Sequence, residues 1–574
     1  MSTIAEQIVS TLSASGVRRV YGIPGDSLNG FTDALRKNGD ISWIHVRHEE
    51  AAAFAAAADA ATTGELAVVA GSCGPGNLHL INGLFDANRS RVPVLAIAAH
   101  IPTAEIGTGY FQETHPQELF RECSVYTEYV AQPSQMPHVL EIAMRTAVEK
   151  QGVAVLVIPG DVALAESVVE RTVEIRPTRS RVIPDEDAIR QAADLLNAGE
   201  RVTILAGAGC AGAHDEVVAL AETLGAPVVH ALRGKEFLEY DNPYDVGMTG
   251  LLGFASGYRA MERADTLLML GTDFPYRQFF PKHATTIQVD VRGEQLGRRH
   301  PIELGLVGTV KDTASALLPL LDRSDDRRHL DDSLDHYRRT RTKLDELATP
   351  SRSKAPIHPQ YLARLVDQTA SDDAVFIPDV GSPVVWAARY LTMNGRRRLI
   401  GSFAHGSMAN ALSQAVGAQV AHPGRQIVAL AGDGGLTMLL GELVTLIQNR
   451  LPVKLVVFNN SSLNFVELEM KAAGFVTYGT DLVNPNFADV ANAMGIYARR
   501  VEHSADLPDA VADVLAHDGP ALLDVVTERQ ELSIPPNITA EQLKGFTLYA
   551  LRSVMSGRGD ELIDLSRANL RQLF

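Results

Sequence analysis

The fold is decided by residues 431–469, AGDGGLTMLLGELVTLIQNRLPVKLVVFNNSSLNFVELE. An apolar run at 426–430 precedes them and predicts a buried strand, which ends in the glycine-rich turn 432–435. Apolar residues then recur at helical spacing over 436–448, and a second apolar run, 453–458, ends at a pair of asparagines. A strand, turn, helix and strand in this order are typical of a parallel α/β sheet. Both polar clusters therefore fall at the carboxyl ends of strands, where such sheets bind ligands.

The residues of these two clusters predict a metal-bound diphosphate. Gly434 and Gly435 allow the backbone to approach a diphosphate at the beginning of a helix, where N–H groups favour anions. Asp433 and Asn460 offer hard oxygen ligands, and a backbone carbonyl near Ser462 adds a third. With two diphosphate oxygens and a water, they complete the octahedron that Mg²⁺ requires. Because a single Gly-Asp-Gly also occurs in ordinary turns, the prediction depends on the accompanying strands and asparagine pair.

The composition is that of a soluble globular protein whose 574 residues suggest about three domains. A net charge of −17, without any basic stripe, argues against a nucleic-acid-binding protein. The three cysteines, Cys73, Cys123 and Cys210, lack the spacing of a metal site and predict buried thiols. We find neither the apolar segment of a signal peptide nor a run of about 18 apolar residues. We therefore expect a cytosolic protein or one that lies on a membrane surface.

Three doubly wound parallel-sheet domains of the α/β class and a C-terminal tail are predicted along the chain. Their boundaries are 1–182, 183–334, 335–530 and 531–574. Prolines and charged residues mark the seam after the first domain, and mixed charges at helical spacing before the third predict a solvated helix and connector.

Glu49 is the candidate catalytic residue of the first domain. It follows a predicted strand at 42–46 and precedes an alanine-rich helix predicted at 51–61. On the residues alone, its carboxylate either stabilises the helix dipole or takes part in proton transfer. The glycine-rich loop 71–77 forms either a tight strand-to-helix turn or a place where a ring or substrate approaches closely. The polar and aromatic stretch 109–116 predicts a loop between domains or subunits.

The middle domain carries a pattern typical of dinucleotide sites. Residues 207–212, GAGCAG, fit G-x-G-x-x-G directly after a predicted strand at 201–206. No acidic residue follows about twenty positions later at a clear strand end, which argues against a nicotinamide-type site. Asp290 ends a later predicted strand and offers a carboxylate for ribose hydroxyls. We therefore predict an adenine dinucleotide that lies across several strand ends.

The tail, 531–574, departs from this alternation of strands and helices. Apolar residues of its last segment fall on one side of a predicted helix, with charges largely opposite. Such an amphipathic helix binds either a membrane interface or the body of the protein and its partner subunits. On the residues alone, docking onto protein is favoured.

Taken together, these segments resemble the thiamine-diphosphate (ThDP) enzymes, and among them the quinone-dependent pyruvate dehydrogenases. The resemblance runs essentially end to end and includes RHEE at 47–50, IGTGYFQETHPQELFRECS at 106–124, GSFAHGSMANA at 401–411, GDGGL at 432–436 and VVFNNS at 456–461. It implies ThDP, Mg²⁺ and FAD as cofactors. It also implies oxidative decarboxylation of pyruvate to acetate and CO₂, with electrons passing through FAD to a membrane quinone, either ubiquinone or menaquinone.

The resemblance also assigns residues. The implied catalytic residues are Glu49, which lies against the aminopyrimidine ring, and the active-site aromatics Phe111 and Phe465. The implied magnesium ligands are Asp433, Asn460 and the Ser462 carbonyl. Besides Glu49, the implied ThDP contacts are Gly406, Ser407, Met408, Asp433, Gly434, Gly435, Asn460, Ser461, Ser462, Leu463, Asn464, Phe465 and Val466. The implied FAD contacts are Thr249, Gly250, Leu251, Leu252, Thr272, Asp273, Phe274, Pro275, Tyr276 and Asp290. Met408 corresponds to the apolar wedge that props ThDP into its bent form, although a methionine here also suits an ordinary core.

The partners implied are pyruvate, a quinone, a lipid membrane surface bound by the tail, and three further copies of the chain in a homotetramer. ThDP would lie between the first domain of one subunit and the third domain of another, and the protein would be cytoplasmic, at the inner face of the cell membrane. Two related activities compete with this interpretation: phosphate-using pyruvate oxidase, which makes acetyl phosphate and reduces O₂, and acetolactate synthase, in which FAD is mainly structural. The 106–124 stretch and the tail favour the quinone-dependent enzyme. The presence of Glu49, Asp433 and Asn460 together disfavours a non-catalytic binding protein.

Overall fold

The computed structural model describes residues 2–168, 172–178, 180–351 and 356–531, together with 544, 546, 548–550, 552, 553, 565 and 569. The predicted tail, 531–574, therefore lies largely outside the described residues. Among the described residues, no helix is both long and apolar enough to cross a bilayer.

The first domain is a six-stranded parallel sheet with helices on both faces. Its strands are β1 Arg19–Gly22, β2 Ser42–His45, β3 Ala67–Gly71, β4 Val94–His100, β5 Tyr126–Tyr129 and β6 Val153–Pro159. They are adjacent in the order β2-β1-β3-β4-β6-β5. Its helices are α1 Ile4–Ala14, α2 Asn29–Asn38, α3 Glu49–Thr63, α4 Pro75–Ser90, α5 Pro116–Leu119, α6 Met136–Lys150 and α7 Gly160–Leu164. Every residue of β3, β4 and β6 is buried, as expected for strands covered on both faces.

The middle domain is a second six-stranded parallel sheet with a different strand order. Its strands are β7 Val202–Ala206, β8 Val228–His230, β9 Asp245–Met248, β10 Thr266–Leu270, β11 Thr285–Asp290 and β12 Leu304–Val307. They are adjacent in the order β12-β11-β10-β7-β8-β9, so the order reverses between β7 and β10. Its helices are α8 Glu186–Asn197, α9 His214–Leu224, α10 Lys235–Leu238, α11 Ala255–Arg263, α12 Val310–Leu317 and α13 Arg328–Leu347. The predicted boundary at 334/335 falls inside α13.

The third domain repeats the topology of the first. Its strands are β13 Val375–Pro378, β14 Arg398–Leu399, β15 Ile427–Gly432, β16 Lys454–Asn459, β17 Tyr497–Val501 and β18 Ala521–Val526. They are adjacent in the order β14-β13-β15-β16-β18-β17, which is the first domain's order element for element. Its helices are α14 Pro359–Thr369, α15 Ser382–Tyr390, α16 Asn410–Ala421, α17 Asp433–Met438, α18 Leu443–Gln448, α19 Asn464–Ala472, α20 Phe487–Ala493 and α21 Leu507–Ala516. The predicted fold class, three doubly wound parallel α/β sheets, is confirmed for the described residues.

The first and third domains share one hydrophobic core, although the middle domain separates them in sequence. The alanine-rich helix α3 packs directly on α16, and both contribute buried residues to a single apolar cluster. A side chain at Gly417 of α16 would place its Cβ only 1.9 Å from the carbonyl oxygen of Ala55. Small residues on both helices therefore permit a backbone contact that larger ones would prevent.

The helix predicted at 436–448 is interrupted. The chain forms the short helix α17, leaves helical geometry at Leu439 (φ −127°, ψ 39°) and resumes as α18. At the interruption, the Glu442 carboxylate accepts the backbone N–H of Arg47 from the first domain at 2.9 Å. An apolar period continues through such a break, so periodicity alone does not reveal it.

Candidate active site

The predicted metal ligand Asp433 lies at the carboxyl end of β15, next to the point where the strand order reverses between β13 and β15. Its Oδ2 accepts the backbone N–H groups of Asn460 at 3.1 Å and Ser461 at 2.6 Å. The side-chain amide of Asn484 donates to the same oxygen at 2.8 Å, and Gly434 N–H donates to Oδ1 at 2.8 Å. The structure thus brings Asp433 and the Asn460 loop together, as expected for the ends of adjacent parallel strands.

The environment of Asp433 suits a bound cation. Its side chain is 3% exposed, and the donors just described are neutral N–H groups. Burial raises the pKa of Asp433 above its ordinary value, against the effect of these hydrogen bonds. A divalent cation would offset the cost of burying this carboxylate. Asn460 and the Ser462 carbonyl lie in the same loop, so the residues present fit Mg²⁺ with oxygen ligands.

The glycines of the same turn lie closely against other groups of the site. At Gly434 an added Cβ would lie 2.7 Å from Leu463 Cδ2 and 3.4 Å from Met408 Cε, so the predicted wedge residue borders the turn. At Gly435 an added Cβ would lie 2.0 Å from Asp379 Oδ2. Any side chain at 435 would therefore collide with Asp379. Ser407 and Gly406 belong to the adjoining loop, in which Gly406 has a φ of +83°.

Asp379 is a buried carboxylate of this site that the sequence analysis did not identify. It follows β13, is 1% exposed, and accepts the N–H of Ala411 at 3.1 Å through Oδ1. Its Oδ2 has no hydrogen-bond partner among the described residues. Burial raises the pKa of Asp379 to about 7. Its place directly after a predicted strand was the signal that would have found it.

Glu49 begins α3 in the first domain and is 8% exposed. Its Oε2 lies 2.9 Å from His79 Nδ1, and an added Cβ at Gly76 would lie 3.2 Å from its Oε1. The His79 ring stacks on His48 with centroids 4.3 Å apart. The predicted catalytic carboxylate thus contacts groups of its own domain, whereas Asp433 contacts groups of the third domain.

A polar bridge links the two domains beside Glu49. The side-chain amide of Asn82 in α4 donates to Glu50 Oε1 at 2.7 Å and contacts Ser407 Oγ at 2.9 Å. Its carbonyl oxygen lies 2.8 Å from His405 Nε2. The loop that carries the predicted ThDP contacts Gly406, Ser407 and Met408 is therefore joined directly to the first domain of the same chain.

The two predicted aromatic residues lie in different settings. Phe111 is 76% exposed, in a loop of the first domain. Phe465 lies in α19 and packs against the apolar core of the third domain. Asn464, Phe465 and Val466 form the first turn of α19, while Ser461 has a left-handed φ of +57° that turns the chain toward it.

The middle domain has the strand order of dinucleotide-binding sheets, which bind their ligand where the order reverses. At that point, between β7 and β10, the two strand ends approach very closely. An added Cβ at Gly207 would lie 2.6 Å from Thr272 Cβ, and one at Gly209 would lie 2.6 Å from Gly271 Cα. The predicted G-x-G-x-x-G turn thus lies against Gly271 and the predicted FAD contact Thr272.

Several buried polar groups of this region lack partners and fit an adenine dinucleotide. Thr249 is 3% exposed, and its Oγ1 has no hydrogen-bond partner among the described residues. Nε and Nη2 of Arg292 make no hydrogen bond there either, and Nε lies 3.6 Å from Asp290 Oδ1 as an ion pair. Asp290 is 4% exposed, and burial raises its pKa to about 6. Ribose hydroxyls and phosphate oxygens are the groups that would satisfy these side chains. Next to Gly250, which has a φ of +100°, the aromatic rings of Phe274 and Tyr276 pack edge to face.

Comparison with known proteins agrees with this geometry. Three domains of thiamine pyrophosphate (ThDP) enzymes match the chain: the N-terminal TPP binding domain at residues 2–119, the central domain at 189–317, and the C-terminal TPP binding domain at 379–525. A putative thiamine pyrophosphate-containing protein of Bacillus subtilis is 34% identical over 100% of this chain and 99% of its own length. A pyruvate oxidase of Lactiplantibacillus plantarum is 31% identical over 90% of this chain and 87% of its own. An acetolactate synthase large subunit of Escherichia coli is 29% identical over 95% and 98%. This chain belongs to the thiamine pyrophosphate enzyme family.

Proposed function

We propose that this protein oxidatively decarboxylates pyruvate to acetate and CO₂, and that the electrons pass through FAD to a membrane quinone. The observation that carries the proposal is the middle domain, whose strand order, unpartnered Thr249 hydroxyl and buried Asp290 carboxylate suit an adenine dinucleotide beside a ThDP site. The similarity to a pyruvate oxidase supports pyruvate as the substrate and redox chemistry as the outcome.

The chain's own residues account for how the cofactors would be held. Asp433, Asn460 and the Ser462 carbonyl would bind Mg²⁺, and the backbone N–H groups of the turn at Gly434 and Gly435 would face the diphosphate. Glu49 would exchange a proton with the aminopyrimidine ring, a role that suits a carboxylate beside a histidine and out of bulk water. ThDP, when bound, supplies a nucleophilic carbon that adds to the pyruvate carbonyl and accepts the electron pair released when CO₂ leaves.

The balance of the reaction requires an electron acceptor. Pyruvate and one water give acetate, CO₂, two protons and two electrons. FAD, when bound, would supply the two-electron acceptor, and a quinone would take up the two electrons and two protons in turn. Thr249–Leu252, Thr272–Tyr276 and Asp290 would hold the FAD.

We propose a quinone, and not O₂, as the electron acceptor because of the 106–124 segment and the amphipathic pattern of the tail. We further propose that the tail binds a lipid surface at the cytoplasmic face of the cell membrane and that the chain forms a homotetramer. In such an assembly Glu49 of one subunit and Asp433 of another would meet at one ThDP. The exposed side chain of Phe111 on the first domain suits a surface covered by a second copy.

The test is an anaerobic reaction followed by flavin absorbance. Protein loaded with ThDP, Mg²⁺ and FAD is mixed with pyruvate, and ubiquinone or menaquinone is then added with or without anionic lipid vesicles. We expect pyruvate to bleach the flavin and quinone to restore its colour, faster with vesicles.

Other outcomes would replace the proposal with a named alternative. Reoxidation by O₂ alone, with acetyl phosphate formed from added phosphate, would assign the phosphate-dependent pyruvate oxidase activity. No bleaching, with acetolactate formed from pyruvate, would assign acetolactate synthesis.

A further inference from the structure

A buried carboxylate that is not among the predicted metal ligands contacts residues 460–463, which we call the metal loop. Glu467 of α19 is 1% exposed, and its Oε2 accepts the hydroxyl of Ser462 at 2.5 Å. The backbone N–H of Ser462 donates to Asn460 Oδ1 at 3.0 Å. The N–H of Leu463, which shares a peptide plane with the Ser462 carbonyl, donates to the carbonyl oxygen of Thr480 at 2.8 Å. Together with the bonds to the Ser462 amide and hydroxyl, this bond fixes the direction of the Ser462 carbonyl.

Two cations hold Glu467 in place. Lys471, which is 1% exposed, contacts Oε1 at 2.7 Å, and Arg529 contacts Oε2 at 3.1 Å. Burial acts to raise the pKa of Glu467, but Lys471, Ser462 and Arg529 outweigh it, so its pKa lies below the ordinary value. Lys471 also donates to Gln530 at 2.6 Å, and its ammonium lies 5.6 Å from the centre of the Tyr549 ring. A fully buried charge with this many partners has one orientation available to it.

The same network reaches residues 480–484, which pair with the metal loop and which we call the crossing segment. Residues 461–463 pair with 480–482 through an antiparallel bridge between Ser462 and Asp481. Arg529 joins this segment to Glu467, because its guanidinium contacts Asp481 as well. Two residues further along, Asn484 donates to Asp433 Oδ2 at 2.8 Å. Glu467 thus ties α19, the crossing segment and the end of β18 to the loop.

We propose that Glu467 is a positioning residue for the metal site: it holds the Ser462 hydroxyl so that the Ser462 carbonyl faces the cation. The inference rests on the proposed magnesium site and assigns Glu467 no contact with metal or substrate. Groups that orient metal ligands typically change metal affinity about 10–100-fold when removed.

The test measures metal binding without turnover. Mn²⁺, which prefers the same oxygen ligands as Mg²⁺, is titrated into cofactor-free protein in the presence of ThDP, and bound metal is read by electron paramagnetic resonance. Ser462→Ala removes the hydroxyl but keeps the carbonyl, and Glu467→Ala removes its acceptor. We expect each to weaken Mn²⁺ binding about tenfold. Glu467→Gln, which keeps an oxygen for the hydroxyl, should lie closer to the wild type.

Thr445→Ala is the matched control. Thr445 donates its hydroxyl to Glu442 Oε2 at 2.6 Å, another buried hydroxyl–carboxylate bond of the third domain, and its loss should leave Mn²⁺ affinity unchanged. If Glu467→Ala does not fold, Ser462→Ala still decides the question. Mn²⁺ affinity in Ser462→Ala equal to that of Thr445→Ala would overturn the role of Glu467. A wild-type protein that binds no ThDP-dependent Mn²⁺ would instead overturn the cofactor site itself.

Discussion

The first and third domains have the same strand order, yet they place their carboxylates differently. In the third domain two buried acids, Asp379 and Asp433, follow the neighbouring strands β13 and β15 where the order reverses. In the first domain the equivalent strand ends carry uncharged groups, and Gly25 lies against Ser72. There the acid, Glu49, begins the helix that follows the outer strand β2.

The helices after these outer strands show the difference most directly. In the third domain α16 begins with Asn410, which is fully buried and bonded to Val380 N–H at 3.2 Å. In the first domain α3 begins with Glu49, whose partner is a titratable histidine. A carboxylate fixed by N–H donors suits a metal, whereas one beside an exchangeable partner suits proton transfer. One topology thus supports two halves of a site with different chemistry.

Among the substitutions that test this difference between the two domains, we expect Glu49→Gln to have the largest effect on activity. Glu49→Gln keeps the shape but removes the proton-exchanging group, so we expect flavin reduction by pyruvate to slow about 10²–10⁴-fold with FAD still bound. Anaerobic stopped-flow absorbance measures this rate. Glu50→Gln, which changes the neighbouring acid bonded to Asn82, is the matched control. Reduction at the wild-type rate in Glu49→Gln would remove this residue from the mechanism.

Asp433→Asn, in the third domain, should change the requirement for Mg²⁺ and not the proton transfer. It removes a charged ligand, so the concentration of Mg²⁺ needed for half-maximal activity should rise at least about tenfold. Excess Mg²⁺ and ThDP should restore part of the activity, whereas they should not rescue Glu49→Gln. Asp372→Asn, which changes an exposed acid paired with Arg396, controls for the loss of charge. An unchanged Mg²⁺ requirement in Asp433→Asn would contradict the proposed ligand set.

A smaller effect is expected from adding a methyl group beside each acid. In Gly435→Ala the Cβ meets the buried Asp379 at 2.0 Å, so the free energy of unfolding should fall by about 1–3 kcal/mol and ThDP binding should weaken. In Gly76→Ala the Cβ lies 3.2 Å from Glu49 Oε1, and a smaller loss is expected. Denaturant unfolding read by the fluorescence of Trp386, buried in the third domain, and of Trp43, in the first, measures both changes. Gly432→Ala is the control, because its Cβ would make an ordinary contact at 3.6 Å. An equal loss in the free energy of unfolding for Gly432→Ala and Gly435→Ala would contradict a steric effect of Asp379.

A pH dependence of stability is expected at Asp379. Its pKa of about 7 in the folded protein lies above that of an unfolded aspartate, so folding takes up a proton between about pH 4 and 7. The stabilisation from this proton is lost as the pH rises through 7. The melting temperature of Asp379→Asn minus that of the wild type, both measured on cofactor-free protein, should therefore increase from pH 5 to pH 8. A difference between the two proteins that does not vary with pH would show that Asp379 does not titrate in this range.

The strands were predictable because they are buried apolar runs that need no tertiary information. The predicted strands 426–430 and 453–458 correspond to β15 and β16 within two residues, and the alanine-rich helix at 51–61 lies within α3. The ThDP family was likewise predictable, since its signature residues are close together in sequence. Their individual roles at the site stay predictions.

The features that could not be predicted depend on contacts between residues far apart in the sequence, which no local pattern contains. Asn484 reaches Asp433 across 51 residues, and Arg529 reaches Glu467 across 62. The break between α17 and α18 coincides with a hydrogen bond from Arg47, 395 residues away. In each case a side chain's partner is set by the fold rather than by its neighbours in the chain.

The contact between α3 and α16 has a consequence for how the protein is made. About 350 residues separate these helices, and a ribosome adds roughly 5–20 residues per second, so α16 follows α3 by roughly 20–70 s. During that interval the face of α3 that packs on α16 lacks this partner, although α4 already covers another face of the helix. The half of the shared core that is synthesised first therefore keeps an apolar face uncovered until the third domain emerges.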